Sequence, residues 1–447
     1  MSDTVSPIRF PFPKFSSSDA ELDEVYSYRE LVYNKHIRQT PEGMVVTEFL
    51  PDVGWAGKYN TISCAASHHI LDGRWLNDKK VCEDYLRFWM TDGPAPRSYS
   101  FPYADSLWQF CKVTGDFGPA KELYEAAAKN YGAWEASNFR RSFGLFFQID
   151  DRDGMEFSIS GNGLRPTLSS YLYADALALS KTAALLGKEE ERRSWKIKAD
   201  SLRREINRVN WNREHGFYET LYENGYAANV RELVGYVPFI YGIPPKERDT
   251  AFAELWKKDG FFGKYGPTTA ERRHPDFNKH FDHECLWNGP SWPYATTQVL
   301  DALITVLHRG SDFVTPEDFL RLLKIYAHSH RDDDGTLFLD ENLDPDTGKW
   351  IARDILKAKG TLDRGIFYNH SAFIDPVIRG LCGVIPGEDE TVTVHPLCGG
   401  LEYYSLDGVN VRGRELSVEY EKGCGLKISV DGKTAAEGKA ERLEITL

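Results

Sequence analysis

Residues 286–294 read Leu286-Trp287-Asn288-Gly289-Pro290-Ser291-Trp292-Pro293-Tyr294. A Gly-Pro break followed by Pro at the first helical turn opens a helix abruptly, because Pro is pre-set for that position and lacks the N–H the helix would leave orphaned. From there outward, apolar residues at three-and-four spacing predict helices over 19–38, 79–90, 104–113, 118–137, 167–186, 189–208, 246–258, 291–308, 315–329 and 368–381. Thr315-Pro316-Glu317-Asp318 carries N-cap chemistry, and Gly187 closes the helix that runs through Leu186. Helix pairs joined by Gly- and Asp-rich loops recur without a clean sequence repeat. Ten such segments predict a mostly α chain, a ring of helix hairpins of the (α/α)6 toroid type over residues 1–385, including a short N-terminal extension. Its more apolar helices, such as 168–186 and 293–306, form the inner layer, and an α-solenoid is the alternative.

After Pro386 the pattern changes to short alternating runs at 391–395, 403–411, 416–420, 426–430 and 443–447, separated by turn residues such as Asp431-Gly432. They predict a small antiparallel β-module over 386–447.

The net charge of −13 argues against nucleic acid or an anionic membrane surface as partner. The 11 Trp and 23 Tyr, without basic patches, suit a small neutral, polyhydroxylated carbohydrate, and leave the oligomeric state open. Seven cysteines, odd in number and never spaced C-x-x-C, suggest free thiols rather than disulfides or zinc. The N-terminus lacks a basic segment followed by an apolar run, so a cytoplasmic location is expected. The triplet Asn369-His370-Ser371 would stay unmodified there.

Two acidic clusters flank the tryptophan segment at a distance: Asp153-Gly154-Met155-Glu156-Phe157-Ser158 upstream, and Asp340-Glu341-Asn342-Leu343-Asp344-Pro345-Asp346-Thr347-Gly348 downstream. Sugar C–H faces stack on aromatic rings, and breaking a glycosidic bond needs one acid and one base. Inversion requires a protonated carboxyl beside the leaving oxygen and an ionised one holding a water, roughly 6.5–9.5 Å from its partner. Glu156, flanked by Met155 and Phe157, has surroundings that favour the protonated form, whereas Glu341 sits in a polar acidic run that suits an ionised base.

These three segments, in this order, resemble the signature regions of the glycoside hydrolases that include mannosylglycerate hydrolase, processing α-glucosidase I and trehalase. The similarity spans roughly residues 55–384, and Trp-x-Gly-Pro-x-Trp is its most specific part. The resemblance implies inverting hydrolysis in an (α/α)6 barrel without metal or cofactor, with Glu156 in the acid's place and Glu341 in the base's. Two departures stand out. Glu replaces the expected Asp at 156, adding about 1.5 Å of reach, one C–C bond, and Ile159 stands where Pro usually follows the Ser. Asp153 is the substitute acid.

Sugar-binding candidates are Trp55 and Tyr59, then Asp72, Arg74 and Trp75, with Asp72 and Arg74 chosen to grip the terminal sugar by bidentate bonds to vicinal hydroxyls. Tyr103 and Asp105 open the helix through Trp108, Arg165 follows the acid motif, and Trp287, Asn288, Gly289 and Trp292 display aromatic faces at the Gly-Pro break. For each, a structural use competes: a helix cap, a local ion pair, a loop anchor or core packing.

Three other chemistries are weighed. Residues 330–341 approach the spacing of a calcium loop, but His330 occupies a position that needs an acid. Tyr368, Asn369 and His370 with Arg165 or Arg364 would suit a polysaccharide lyase, whereas in the hydrolase reading this segment closes the pocket floor with His370 as a further sugar-binding candidate; His68-His69 would suit a sugar epimerase. A sugar-binding protein without catalysis is the non-enzyme alternative.

Overall fold

The computed structural model describes residues 9–439 and 441–447, so most of the N-terminal stretch read for a leader lies outside the described residues. The body is mostly helical, with antiparallel sheets gathered near the C-terminus.

Two kinds of helix alternate along the chain. Pro166–Leu185 and Pro293–His308 are buried on nearly every side, whereas the helices that follow them, Glu189–Glu205 and Pro316–His328, bury one face only. A helix apolar all round needs neighbours all round, and a one-sided helix needs water on its other side. Turn chemistry fixes these hairpins. Gly187 takes a left-handed φ of +69°, and the Lys188 N–H reaches back to the Ala183 carbonyl at 2.9 Å, closing the helix. Thr315 and Asp318 form a reciprocal capping box, with Pro316 at the first turn.

Three predicted helices differ. The 118–137 segment breaks at Leu123 into Gly118–Glu122 and Tyr124–Asn138. Lys246–Trp256 winds as tight three-residue turns, which bring Phe252 against Tyr236 at 4.7 Å and Phe239 at 5.0 Å. The 368–381 segment is irregular through Phe373, because its backbone is committed elsewhere: Asn369 N–H donates to the Glu48 carbonyl, and the N–H groups of Phe373 and Asp375 donate to the Asp72 carboxylate. Spacing did not reveal the helices Ala66–Gly73 and Ala352–Ala358.

A five-stranded antiparallel sheet runs in the order Lys14–Ser17, Tyr403–Val411, Arg414–Glu421, Gly425–Val430, Lys433–Gly438. Its first strand comes from the N-terminal extension, Phe15 opposite Leu406. Asp431 and Gly432, both at positive φ, make the tight turn between the fourth and fifth strands. A second sheet pairs Leu443–Thr446 and Val384–Pro386 with Thr391–Val394. Leu406, Val409, Val411, Leu416 and Val418 are buried and join the same apolar core as the helices.

Candidate active site

Backbone hydrogen bonds tie the three sequence-distant segments together. Trp287 N–H donates to the Glu156 carbonyl at 3.1 Å, and Ser291 and Leu343 exchange both their N–H···O bonds at 2.9 and 3.0 Å. The tryptophan segment is thereby stitched to the acid loop on one side and to the 340–350 loop on the other. In that last loop the Asp344 carboxylate accepts from the N–H groups of Asp346 and Thr347, a side-chain-closed turn completed by Gly348 at φ +79°.

The acid loop is braced from beneath. The Asp153 carboxylate accepts from Arg165 Nε at 2.6 Å, Thr167 Oγ1 at 2.5 Å and Ser100 Oγ at 2.6 Å. Arg165 also donates to Ser158 Oγ and the Gly161 carbonyl, so it anchors the loop from a fully buried position. Gly154, at φ +69°, passes so close to Cys64 that a Cβ would meet its Sγ. The chain then turns upward, Met155 into the core and Glu156 into a cavity.

That cavity, of about 240 Å³, is lined by both Glu156 and Glu341, with Glu48, Trp55, Trp292, Tyr99, Arg364 and Tyr368 among its walls. Trp55 is 52% exposed, as befits a ring at the entrance, and Trp292 stacks on Trp287 with centroids 4.6 Å apart. Burial pushes the Glu156 carboxyl up to about 7, with the negative charges of Asp151, Glu341 and Asp150 adding to it. Burial also pushes Glu341 up to about 7, but there Arg364 opposes it. Arg364 donates to Glu341 Oε1 at 2.6 Å and to Glu284 at 3.0 Å, and the Cys285 thiol lies 3.5 Å from Glu341 Oε2. Of the two carboxyls, only Glu341 has a guanidinium within hydrogen-bonding distance, and that contact favours its ionised form.

Other predicted residues lie away from this cavity. Tyr59 donates to Glu42 at 2.5 Å, on the surface beside Lys58. Asp72 caps the 373–375 backbone, as described above. Arg74 forms a buried ion pair with Asp375, which also accepts from Trp75 Nε1 at 2.7 Å. Tyr103 donates to the Leu86 carbonyl. Arg74 and Asp105 line a second cavity of about 350 Å³, together with His68. Asp72, Arg74, Trp75 and Tyr103 are bound to partners elsewhere in the chain, whereas Asp105 accepts from Gln109 one turn on and His68 has neither ring nitrogen hydrogen-bonded. Trp287, Asn288 and Gly289 form the wall behind Trp292. Asn288 accepts Asn278 N–H at 2.8 Å, and a Cβ on Gly289 would collide with the Asn278 side chain. His370 is buried, stacked on Tyr368 at 3.9 Å. His69 bonds the Asn369 carbonyl and Tyr85, far from a paired-histidine arrangement. The 331–337 segment is a turn in which the Asp334 carboxylate accepts from Thr336.

The sequence reading missed Glu48. It is buried, accepts the Tyr368 hydroxyl at 2.5 Å, and is pushed up to about 8 by burial. A lone acid inside the apolar run Met44-Val45-Val46-Thr47-Glu48-Phe49-Leu50 was the available signal.

Comparison with known proteins bears on the fold and the family. A protein named sialidase is 34% identical over 97% of this chain with a TM-score of 0.91, and this chain spans 41% of that protein's length. The GH63 mannosylglycerate hydrolase from Thermus thermophilus, solved with glucose, has a TM-score of 0.57 at 13% identity, over 79% of this chain and 98% of its own. The α-L-rhamnosidase from Dictyoglumus thermophilum has a TM-score of 0.61 at 14% identity, over 97% of this chain and 49% of its own. At such identities the last two speak to the fold alone. Residues 58–371 match the mannosylglycerate hydrolase MGH1-like glycoside hydrolase domain, and the chain belongs to that family of glycoside hydrolases.

Proposed function

We propose that the chain is an exo-acting, anomer-inverting α-glycosidase, with Glu156 as general acid and Glu341 as general base. Residues 1–385 form its (α/α)6 catalytic barrel and 386–447 the appended β-module. The observation that carries this reading is that the two glutamates line one sugar-sized cavity while only Glu341 has a guanidinium beside it. The Glu156 hydroxyl proton passes to the glycosidic oxygen as the anomeric C–O bond breaks. Glu341 takes a proton from water, and that water's oxygen bonds the anomeric carbon from the opposite face. Glu156 ends ionised and Glu341 protonated, and solvent restores both. Trp55 and Trp292 supply apolar faces for the ring.

The lyase alternative loses support because Arg165 is bound to Asp153 and Arg364 to two glutamates, so neither is free to neutralise a uronate. The test is release of reducing sugar from a panel of α-glycosides, without a new ultraviolet-absorbing double bond. A conjugated product, or an isomerised sugar of unchanged chain length, would replace this reading with the lyase or the epimerase.

A further inference from the structure

The acid cavity holds more carboxyls than the reaction uses. Glu48 comes from the segment before Phe49, contacts neither motif in sequence, and still lines the same walls as Glu156 and Glu341. Its backbone is fixed by Asn369 N–H at 3.0 Å, and its carboxyl by the Tyr368 hydroxyl, whose ring is clamped between Phe49 at 4.7 Å and His370 at 3.9 Å. One oxygen, Oε2, is buried with no hydrogen-bond partner. A rigid carboxyl with one oxygen unused in a sugar-sized cavity is arranged to hydrogen-bond a sugar hydroxyl.

The charge balance points the same way. Glu48, Glu156, Glu284 and Glu341 line the cavity, and Arg364 is the one Lys or Arg among the described lining residues. Both terminal nitrogens of Arg364 are committed, one to Glu284 and one to Glu341, and Lys359 is committed to Glu284. A ligand carboxylate entering here would meet Glu284 and Glu341 in a poorly solvated space, with the Arg364 guanidinium already shared between those two.

We propose that Glu48 is a specificity residue: it exchanges hydrogen bonds with hydroxyls of the terminal sugar, in a cavity where Glu284 and Glu341 disfavour sugars that carry a carboxylate. This rests on the hydrolase reading of the same cavity, and the experiment separates the two. Aryl α-glycosides of neutral hexoses and 6-deoxyhexoses are compared with aryl α-hexuronides in wild type, Glu48→Gln and Tyr368→Phe. Binding of the free neutral sugars and uronic acids to Glu341→Gln, and to the Glu341→Gln/Glu48→Gln double variant, is measured by calorimetry.

The expected result is a preference of at least 100-fold in kcat/KM for a neutral glycoside. Glu48→Gln raises its KM at least tenfold with a smaller change in kcat and narrows the neutral-to-uronide ratio at least tenfold, a change that loosened packing alone would not produce. Tyr368→Phe, which keeps the carboxyl and removes its clamp, gives a smaller KM rise in the same direction. Comparable or faster turnover of a hexuronide by wild type would overturn the inference and leave the hydrolase reading intact. So would an unchanged KM and ratio in a folded Glu48→Gln. Conversely, no turnover of either class, with neutral sugars bound and weakened tenfold in the double variant, would sink the hydrolase reading and sustain the role of Glu48.

Discussion

Glu156 and Glu341 differ chiefly in one neighbour. Replacing either by Gln keeps its volume and removes its proton chemistry, so each variant should lose at least about 10³-fold in kcat. Affinity for the sugar should survive within a few-fold, checked by calorimetry. In the proposed mechanism Glu341 acts ionised and Glu156 protonated, so the rate should rise as pH passes the base's titration and fall as it passes the acid's. Both are pushed up to about 7, so kcat/KM should trace a narrow bell centred near neutrality. Arg364 holds the ionised form of Glu341 in place, and in Arg364→Gln the ascending limb should move to higher pH while the maximum falls, on the order of 10²-fold. A limb that stays fixed in that variant would separate Arg364 from the base.

At the scale of elements, the acid loop depends on the start of the helix Pro166–Leu185, where Arg165 and Thr167 grip Asp153. Breaking a buried pair by removing one partner leaves an uncompensated charge, at a cost of about 3–5 kcal/mol. Asp153→Ala and Arg165→Ala should therefore lower the unfolding free energy by that amount in denaturant titrations. The same titration of Glu156→Gln should stay within about 1 kcal/mol of wild type near pH 4.5, where the native carboxyl is protonated. Equal losses from Asp153→Ala and Glu156→Gln would mean that Asp153 is no brace. These contrasts also mark what was legible in the sequence. The order of the motifs and the alternation of fully and partly apolar helices were, because both are local patterns. The uses of Asp72 and Arg74 were not: Asp72 caps backbone at 373–375 and Arg74 pairs with Asp375, some 300 positions away, and spacing carries no trace of such partners. Glu48 escaped for the same reason, since its cavity neighbours Glu156, Glu341 and Tyr368 all come from later in the chain.

At the scale of the whole molecule, folding gathers carboxyls into one desolvated cavity, and that concentration has a thermodynamic signature. Glu156 and Glu341 bind protons more tightly folded than unfolded, so their contribution to stability is fully present below about pH 4.5 and is lost as pH rises through about 7. The loss is at most about 3 kcal/mol per group. A Glu156→Gln/Glu341→Gln variant should accordingly gain stability relative to wild type between about pH 4.5 and pH 7, seen as a difference in Tm that grows over that range and levels off above it. A difference independent of pH would mean that neither carboxyl is desolvated. The N-terminal strand Lys14–Ser17 lies in the same sheet as Tyr403–Val411, so the helical body is bounded by both ends of the chain. Within that body, two loops nearly 200 residues apart bring Glu156 and Glu341 to one cavity. The most direct test is the anomer first released from an α-glycoside, followed by proton NMR before mutarotation. A β-anomer appearing first, then relaxing to the equilibrium mixture, is the predicted result. An α-anomer appearing first would mean that no water is delivered from the face opposite the leaving group, and would contradict the assignment of Glu341 as base.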